Sequence, residues 1–492
     1  MGRGWVLNAT IAVLAAGTIS AVGVGPTTPA GASSTSSLYG WGLNTNYQLG
    51  DGSTTNAEFP ELITLPSWVT PVAGAVGGDH TLVIGSDENL YAWGYNAYGQ
   101  LGIGTVGAQS APVTVSMPAG VTPLSVAAGN DHSLAIGSDG NVYAWGYNAF
   151  GQLGNDTTTD SHVPIAVSLP AGVSANAIAA GAFFSMALGS DGNVYTWGDG
   201  ANGALGNGGT ANEETPVEVP LPVGVTATAI AAERYSALVI GSDGMLYAWG
   251  RDAFGELGNG GSTEADSPVT VSMPEGVTAT AIAGGGRHAL MIGSDGNLYA
   301  WGYNASGQVS NEATTVQQTP VQVALPSGVE PVAIAGGMNS SYTIGSDGNL
   351  YAWGYNGDGE LGNGSFAATS VATFSPIANG PSGPVAATAI SVGGDHSCAL
   401  TSAGLYCWGE NDNGELGNGT FTVPATAGVD GIPTPGLVTG LPFAVSSFSA
   451  GGQHTCALLK NGSVWCWGYD NSSQLGDNST ISENTPVQVS GW

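Results

Sequence analysis

An all-β ring built from one repeated unit is the architecture this sequence predicts, on three observations. A Trp-Gly pair recurs at a fixed interval, no stretch shows helical periodicity over a useful length, and the strand candidates are apolar on both faces. The Trp-Gly pairs stand at Trp41, Trp93, Trp145, Trp197, Trp249, Trp301, Trp353, Trp408 and Trp467. The first six intervals are all 52 residues, and the last two are 55 and 59. Chance does not produce six equal steps. Equal steps imply the same rotation at each unit, as a ring or a solenoid requires.

One unit reads SVAAGNDHSLAIGSDGNVYAWGYNAFGQLG, followed by a polar loop and VPIAVSLPAGV. Four short strands are predicted in it. Ser125–Gly129 is small and apolar. His132–Ile136 and Val142–Trp145 flank Ser138-Asp139-Gly140-Asn141, a hairpin turn whose Gly can take a positive φ. Pro164–Leu169 is the fourth, with Pro at its start, where a missing N–H does no harm. In Leu90-Tyr91-Ala92-Trp93, Leu and Ala share one face while Tyr and Trp share the other. A sheet apolar on both faces needs a layer on each side, and a ring of four-stranded blades supplies one. The small first strand suits the crowded axis, and the bulky Trp suits the wider space between blades. The chain is therefore expected to form a single β-propeller. It has nine Trp-Gly units but only eight preceding segments of the GGDHTLV kind. That predicts eight complete four-stranded blades plus an N-terminal half unit of two strands, with nine or seven blades as alternatives.

Residues 1–32 differ from the rest and read as a signal peptide. Arg3 supplies a positive start, an uncharged apolar stretch runs from about Val6 to Val24, and Ala30-Gly31-Ala32 places small residues at a cleavage site. A propeller over 33–492 is then the mature, secreted chain. No other segment is apolar enough to span a bilayer, so no membrane span is expected after signal removal. The basic residues left are Arg234, Arg251, Arg287 and Lys460.

Composition excludes some partners. Five Lys and Arg stand against 36 Asp and Glu, a formal charge of −31. Nothing in such a chain neutralises a phosphate backbone, so nucleic acid is excluded, and an anionic lipid surface would repel it. Hydrophobic residues make up 42%, which excludes global disorder.

All four cysteines lie in the last two units. Cys398 and Cys407 flank one predicted hairpin turn, and Cys456 and Cys466 flank the next. Folding each hairpin brings its pair face to face, within disulfide range, and secretion supplies the oxidising setting. Two cross-strand disulfides are expected, with a zinc site as the rival reading. Five of six histidines share one repeat position: His80, His132, His288, His396 and His454. The matching positions elsewhere hold Phe184, Ser236 and Ser340. A position that tolerates Phe is expected to be structural, a hydrogen-bonded residue at a strand start. Asn411-Asp412-Asn413-Gly414-Glu415 matches part of a calcium loop but aligns with the ordinary YNAYGQ segment. The Gly394–Ser397 run is read as chance, not as a Ser/His nucleophile. Neither carries an assignment, and no catalytic, metal or cofactor-binding residue is expected.

The segment GGDHTLVIGSDENLYAWGYNAYGQLG, Gly77–Gly102, resembles the repeat of RCC1-type proteins, named after the regulator of chromosome condensation. The resemblance covers nearly all of residues 38–492 and, with the export signal, points to a secreted bacterial type. It implies a β-propeller, most often seven-bladed, a count from which nine Trp-Gly units depart.

The expected function is that of a secreted, non-enzymatic, monomeric binding protein. Its partner would be a protein or a cell-surface polymer, met by the variable loops Ile103–Ala111, Asn155–His162 and Asn207–Thr215 on one side of the ring. The aromatic residues Tyr98, Phe150 and Phe254 are read as inter-blade packing in preference to a binding rim. Four other readings stay open: a structural surface or matrix component; an inhibitor of a secreted enzyme, as the resemblance to bacterial propellers that cap β-lactamases implies; a polysaccharide-acting enzyme; and a guanine-nucleotide exchange factor like the family's founder.

Overall fold

The computed structural model describes residues 20–24, 38–42, 47, 57–63, 65–66 and 68–69. From residue 71 onward it describes all but 233–234, 285–286, 311–314, 376–385, 394, 423–430, 451–452, 462, 471–474, 476, 478 and 490–492. Eight four-stranded antiparallel sheets follow one another along the chain, with a three-stranded sheet before them. Every strand pairs with its sequence neighbour, so each blade is a meander. Blades 1 to 8 span 71–114, 123–166, 175–218, 227–270, 279–322, 331–375, 387–437 and 445–488.

Blade 2 shows the pattern: Pro123–Ala128, His132–Gly137, Val142–Gly146 and Ser161–Ala166. The middle strands match expectation, but the first begins two residues early and the last three. Pro164 therefore lies inside its strand. The register explains why this costs little. Ala144 pairs with Ile165 but Gly146 pairs with Ser161, so the ladder is bulged there, on an edge strand where a missing N–H is tolerated.

The N-terminal unit holds three strands, Ser20–Val24, Leu38–Gly42 and Ala57–Ile63, where two were expected. The extra strand comes from the apolar stretch read as a leader. Its alternating Val22 and Val24 suit extended backbone, and it fills the open edge of Leu38–Gly42. Trp41 lies in this unit, and its side chain is outside the described residues.

The core lies between blades. Leu82, Ile84, Leu90 and Ala92 of blade 1 form one buried cluster with Ala135, Tyr143 and Trp145 of blade 2. Each blade thus buries its Leu/Ala face against the Tyr/Trp face of the next. Trp93, Trp145, Trp197, Trp249, Trp301, Trp353, Trp408 and Trp467 are all fully enclosed. A buried indole N–H needs an acceptor. Trp145 donates to the carbonyl of Gln100 in the preceding blade at 2.9 Å, Trp197 to that of Gln152 at 2.9 Å, and Trp467 to that of Glu415 at 2.8 Å. Gly102, two residues past Gln100, has φ +67°, and a Cβ there would lie 2.8 Å from the Trp145 indole nitrogen. This is why the segment reads Gln-Leu-Gly.

The repeated histidine completes the joint. Ser133 donates its hydroxyl proton to the same Gln100 carbonyl at 2.8 Å, so His80 Nε2–H donates to Ser133 Oγ, also at 2.8 Å. His132 with Ser185, His288 with Ser341 and His396 with Thr455 repeat the arrangement at 3.0, 2.8 and 2.8 Å. The exceptions follow the same rule. Phe184 faces a unit with Ala237 in place of the hydroxyl, and Ser236 one with Ala289. Ser397 follows Ser340 and donates instead to Tyr342 Oη at 2.8 Å.

The hairpin ends are stapled in two ways. In blades 1 to 6 the turn Asp accepts from a Tyr hydroxyl four residues on, as Asp139 does from Tyr143 at 2.7 Å. Blades 7 and 8 have no Asp in that turn. There Cys398 is joined to Cys407 and Cys456 to Cys466, directly opposed residues with Cα atoms 4.1 Å apart.

The joint makes a prediction. Ser133→Ala strands the buried His80 Nε2–H and is expected to cost about 1–3 kcal/mol. Adding His80→Phe reproduces the Phe184–Ala237 combination and should recover most of that loss in denaturant unfolding. Purely additive losses would disprove the coupling.

Candidate functional site

One end of the blades gathers the variable chemistry. In each blade the residue after Trp-Gly donates its N–H to the carbonyl of the residue before the second strand. The eight pairs are Tyr95 to Asp79, Tyr147 to Asp131, Asp199 to Phe183, Arg251 to Tyr235, Tyr303 to Arg287, Tyr355 to Asn339, Glu410 to Asp395 and Tyr469 to Gln453, all between 2.8 and 3.0 Å. The backbone bond is constant while the side chains change from blade to blade. The loops between third and fourth strands rise from this same end. They stop at 108, 160 and 212 in blades 1 to 3, two or three residues short of the expected 103–111, 155–162 and 207–215, because the fourth strands begin at Gln109, Ser161 and Glu213. The Ser-Asp-Gly turns lie at the other.

In five of the eight blades the loops are braced from below by a buried Asn three residues past Trp, and Gly200, Asp252 and Asp470 stand there in blades 3, 4 and 8. Asn96 Oδ1 accepts from Leu101 N–H at 3.0 Å while its Nδ2 donates to the carbonyls of Thr105 and Gly107 at 2.9 and 3.1 Å. Asn148, Asn356 and Asn411 do the same in blades 2, 6 and 7. The face is preformed, which lowers the ordering cost of binding.

Its side chains fall into sectors. Blades 1 to 3 carry an aromatic arc. Tyr98 packs tilted against Tyr147 with centroids 4.8 Å apart, and Phe150 against Phe183 at 5.6 Å. Blades 4 and 5 carry Arg251 and Arg287, both exposed, with the Arg287 guanidinium 4.7 Å over the Phe254 ring. Tyr98, Phe150 and Phe254 therefore pack between blades, as the sequence suggested, yet stay half-exposed on the face. Blades 6 and 7 carry Asp358, Glu360, Asp395, Glu410, Asp412 and Glu415.

The acidic sector breaks the local pairing rule. In the joint between blades 1 and 2, Gln100 accepts from Tyr98 N–H with Oε1, and its Nε2 donates to Asp131 at 3.3 Å. The matching residues between blades 6 and 7 are Glu360 and Asp395. Glu360 Oε2 accepts from Asp358 N–H at 3.0 Å, which leaves Oε1 in the place of the amide donor, buried and without a partner. Burial, with the charges of Asp358 and Asp395 nearby, holds the Glu360 carboxyl up at about 7. Burial likewise raises Glu415 to about 7, and burial with the charges of Glu415 and Asp412 raises Glu410 to about 8. Carboxylate oxygens of Glu410, Asp412 and Glu415 all lie within 4.8 Å of one another, close enough to hold a metal ion.

The structure places the other singled-out residues in structural roles. The eight described Trp and the four Cys are buried or stapled inside blades. Asn411 braces its loop, Ser397 bonds to Tyr342, and His80, His132, His288 and His396 close joints. The Glu360–Asp395 pair escaped the sequence reading, although its signal was present: Glu stands at 360 and 415 where Gln100, Gln152 and Gln308 stand in other units.

Comparison with known proteins agrees with this fold. The family model described as RCC1-like domain matches residues 156–491, and models of the regulator of chromosome condensation (RCC1) repeat match 36–84, 87–136, 72–100 and 124–152. The chain is 31% identical over 325 residues to the Arabidopsis thaliana Ultraviolet-B receptor UVR8, covering 66% of this chain and 74% of that protein. It is 30% identical over 366 residues to the Homo sapiens E3 ubiquitin-protein ligase HERC2, covering 73% of this chain and 7% of that protein. The crystal structure of human WBSCR16 superposes with a TM-score of 0.52 at 22% identity, covering 74% of this chain and all of that one.

The shifted groups predict a two-sided pH profile. The raised carboxyls take up protons in the folded state first, so their contribution to stability is lost as pH rises through about 7 to 8. Burial lowers His80, His132, His288, His396 and His454 to about 3 or 4. Their contribution is full above about 6.5 and is lost as pH falls toward 4. Calorimetric unfolding temperatures should rise on acidifying to about pH 6.5 and then fall. In a Glu360→Gln, Glu410→Gln, Glu415→Gln variant the alkaline limb should flatten and the acid limb persist.

Proposed function

The chain belongs to the RCC1-like family of repeat propellers, and on that premise we propose that it is a secreted, non-enzymatic binding protein, acting as a monomer. Its partner, a protein or a cell-surface polymer, docks on the face formed by the residues before the second strands, after Trp-Gly, and in the third-to-fourth strand loops. The observation that carries this reading is the set of eight backbone-equivalent pairs with differing side chains, from Asp79–Tyr95 to Gln453–Tyr469. A rigid frame with blade-specific side chains is what selective recognition needs. Half-exposed tyrosines and exposed arginines are the residue types that dominate binding energy at interfaces.

Export rests on residues 1–32 and on two disulfides, which persist in oxidising compartments. Removal of the leader would take strand Ser20–Val24 with it and leave the N-terminal unit with two strands. A non-enzymatic role is supported by what the nucleophile-and-base residue types already do. Ser397 donates to Tyr342, and four of the histidines are tied into joints.

Affinity capture with the mature chain from the producer's culture medium, followed by direct binding measurements, tests this reading. Tyr147→Ala and Arg287→Ala should each weaken binding about tenfold or more. Val223→Ser, at an exposed turn on the opposite end, should leave it unchanged. Capture of nothing, or equal affinity in all three variants, would refute it.

A further inference from the structure

The joint between blades 4 and 5 shows what this end of the blades does with a pair of rings. Phe254 and Tyr303 meet edge to face with centroids 5.2 Å apart, and the Arg287 guanidinium lies 4.7 Å over the Phe254 ring. A guanidinium suits that place because the ring face is electron-rich. The three side chains come from fixed positions of the repeat. Phe254 stands five residues past one Trp, Tyr303 two residues past the next, and Arg287 just before the second strand of blade 5.

The same three positions in the joint between blades 1 and 2 hold Tyr98, Tyr147 and Asp131. The two rings lie closer here, with centroids 4.8 Å apart and planes tilted by 59°. A carboxylate takes the place of the guanidinium. Asp131 accepts from Gln100 Nε2 at 3.3 Å. Burial raises its carboxyl, and the charge of Asp79 on blade 1 adds to the rise. Residues 71–218, which make blades 1 to 3, contain neither Lys nor Arg. The rings and the counter-charge are therefore built into these blades, and the cation that joint 4–5 carries is not. The pair is also the middle of a longer half-exposed row. Tyr95 meets Tyr98 at 6.2 Å, and Tyr147 meets Phe150 and Phe183 at 6.0 and 6.4 Å. Rings held by one another lose little freedom on binding.

We propose that the joint between blades 1 and 2 receives an arginine side chain of a basic protein segment, its guanidinium lying over the Tyr98–Tyr147 pair and donating to Asp131. The inference rests on the reading of this end as a docking face and names the chemistry of what docks at one joint. Arg serves better than Lys, because a planar guanidinium covers a ring and donates two parallel bonds to a carboxylate. The formal charge of −31 draws a basic partner and repels an acidic one.

The test is titration calorimetry of the full chain, at about 0.15 M salt, with an end-capped Gly-Arg-Gly-Arg-Gly peptide. The same peptide with citrulline, the uncharged isostere, and cellohexaose, a neutral sugar chain, are the comparisons. The arginine peptide should bind with a dissociation constant below about 1 mM, and the citrulline peptide about tenfold more weakly or worse. Tyr98→Ser installs the residue of blade 5, Ser306, and Asp131→Asn that of blade 6, Asn339, so both should fold. Each should weaken the arginine peptide by about threefold or more. Glu88→Gln removes one charge from an exposed turn at the opposite end of blade 1 and should change nothing. No binding up to about 5 mM, equal affinity for the citrulline peptide, or preference for cellohexaose would overturn the proposal. So would wild-type affinity in both variants, or an equal loss in Glu88→Gln, which marks unspecific attraction to the acidic chain. If Tyr147→Ala weakens the partner captured from the medium while Asp131→Asn leaves it untouched, the docking face stands and this inference falls.

Discussion

The structure depends on one carbonyl per joint. The oxygen at Gln100, and at its counterparts in later blades, accepts from the buried indole of the next blade. In the joints that pair His with Ser or Thr it accepts a hydroxyl as well. Hydrophobic area alone would hold blades together without fixing their angle. A two-donor acceptor at a fixed place in each blade does fix it, because the Trp, the hydroxyl and the carbonyl must coincide. The constant 52-residue step is the sequence's trace of that geometric demand.

Meeting the demand occupies most residues that look chemically interesting. Trp serves the indole bond, Gly102 and its equivalents make room for it, His and Ser close the latch, and Asn braces the loop above. What escapes is a small set of positions per blade at one end, whose side chains point away from the joint. Function is left to those positions, and they are where neighbouring blades differ most.

The fold was legible because its cause is periodic. Equal Trp spacing, two-sided apolar strands and Ser-Asp-Gly turns announce blades without reference to long-range contacts. The positions of strand four were less legible, because a bulge after Ala144 moves Pro164 from a strand start into its interior. The third strand of the N-terminal unit was not foreseen, since Ser20–Val24 carries no repeat signature. The variable end was half legible. The loops between third and fourth strands and the residues that vary beside them do share one end of the blades, but residues such as Asp131 and Glu410 gained meaning only when their neighbours across the joint were known. Side chains that act between blades are 31 to 59 residues apart in sequence, beyond the reach of any local motif.

Departures from the repeat concentrate in its last units, and they are coupled. Blades 7 and 8 lack the turn Asp, and with it the Asp–Tyr staple, and cross-link the same hairpins covalently. Cys407 lies three residues before Glu410, so the covalent staple stands at the base of the strand end that presents the acidic cluster. Carboxylates crowded into a joint repel one another and push its blades apart. A hairpin bound across its strands resists that splaying better than one held by a single hydroxyl–carboxylate bond. Covalent stapling is not a precondition for buried acids, since blades 4 and 6 enclose Asp252 and Glu360 while keeping the Asp–Tyr staple.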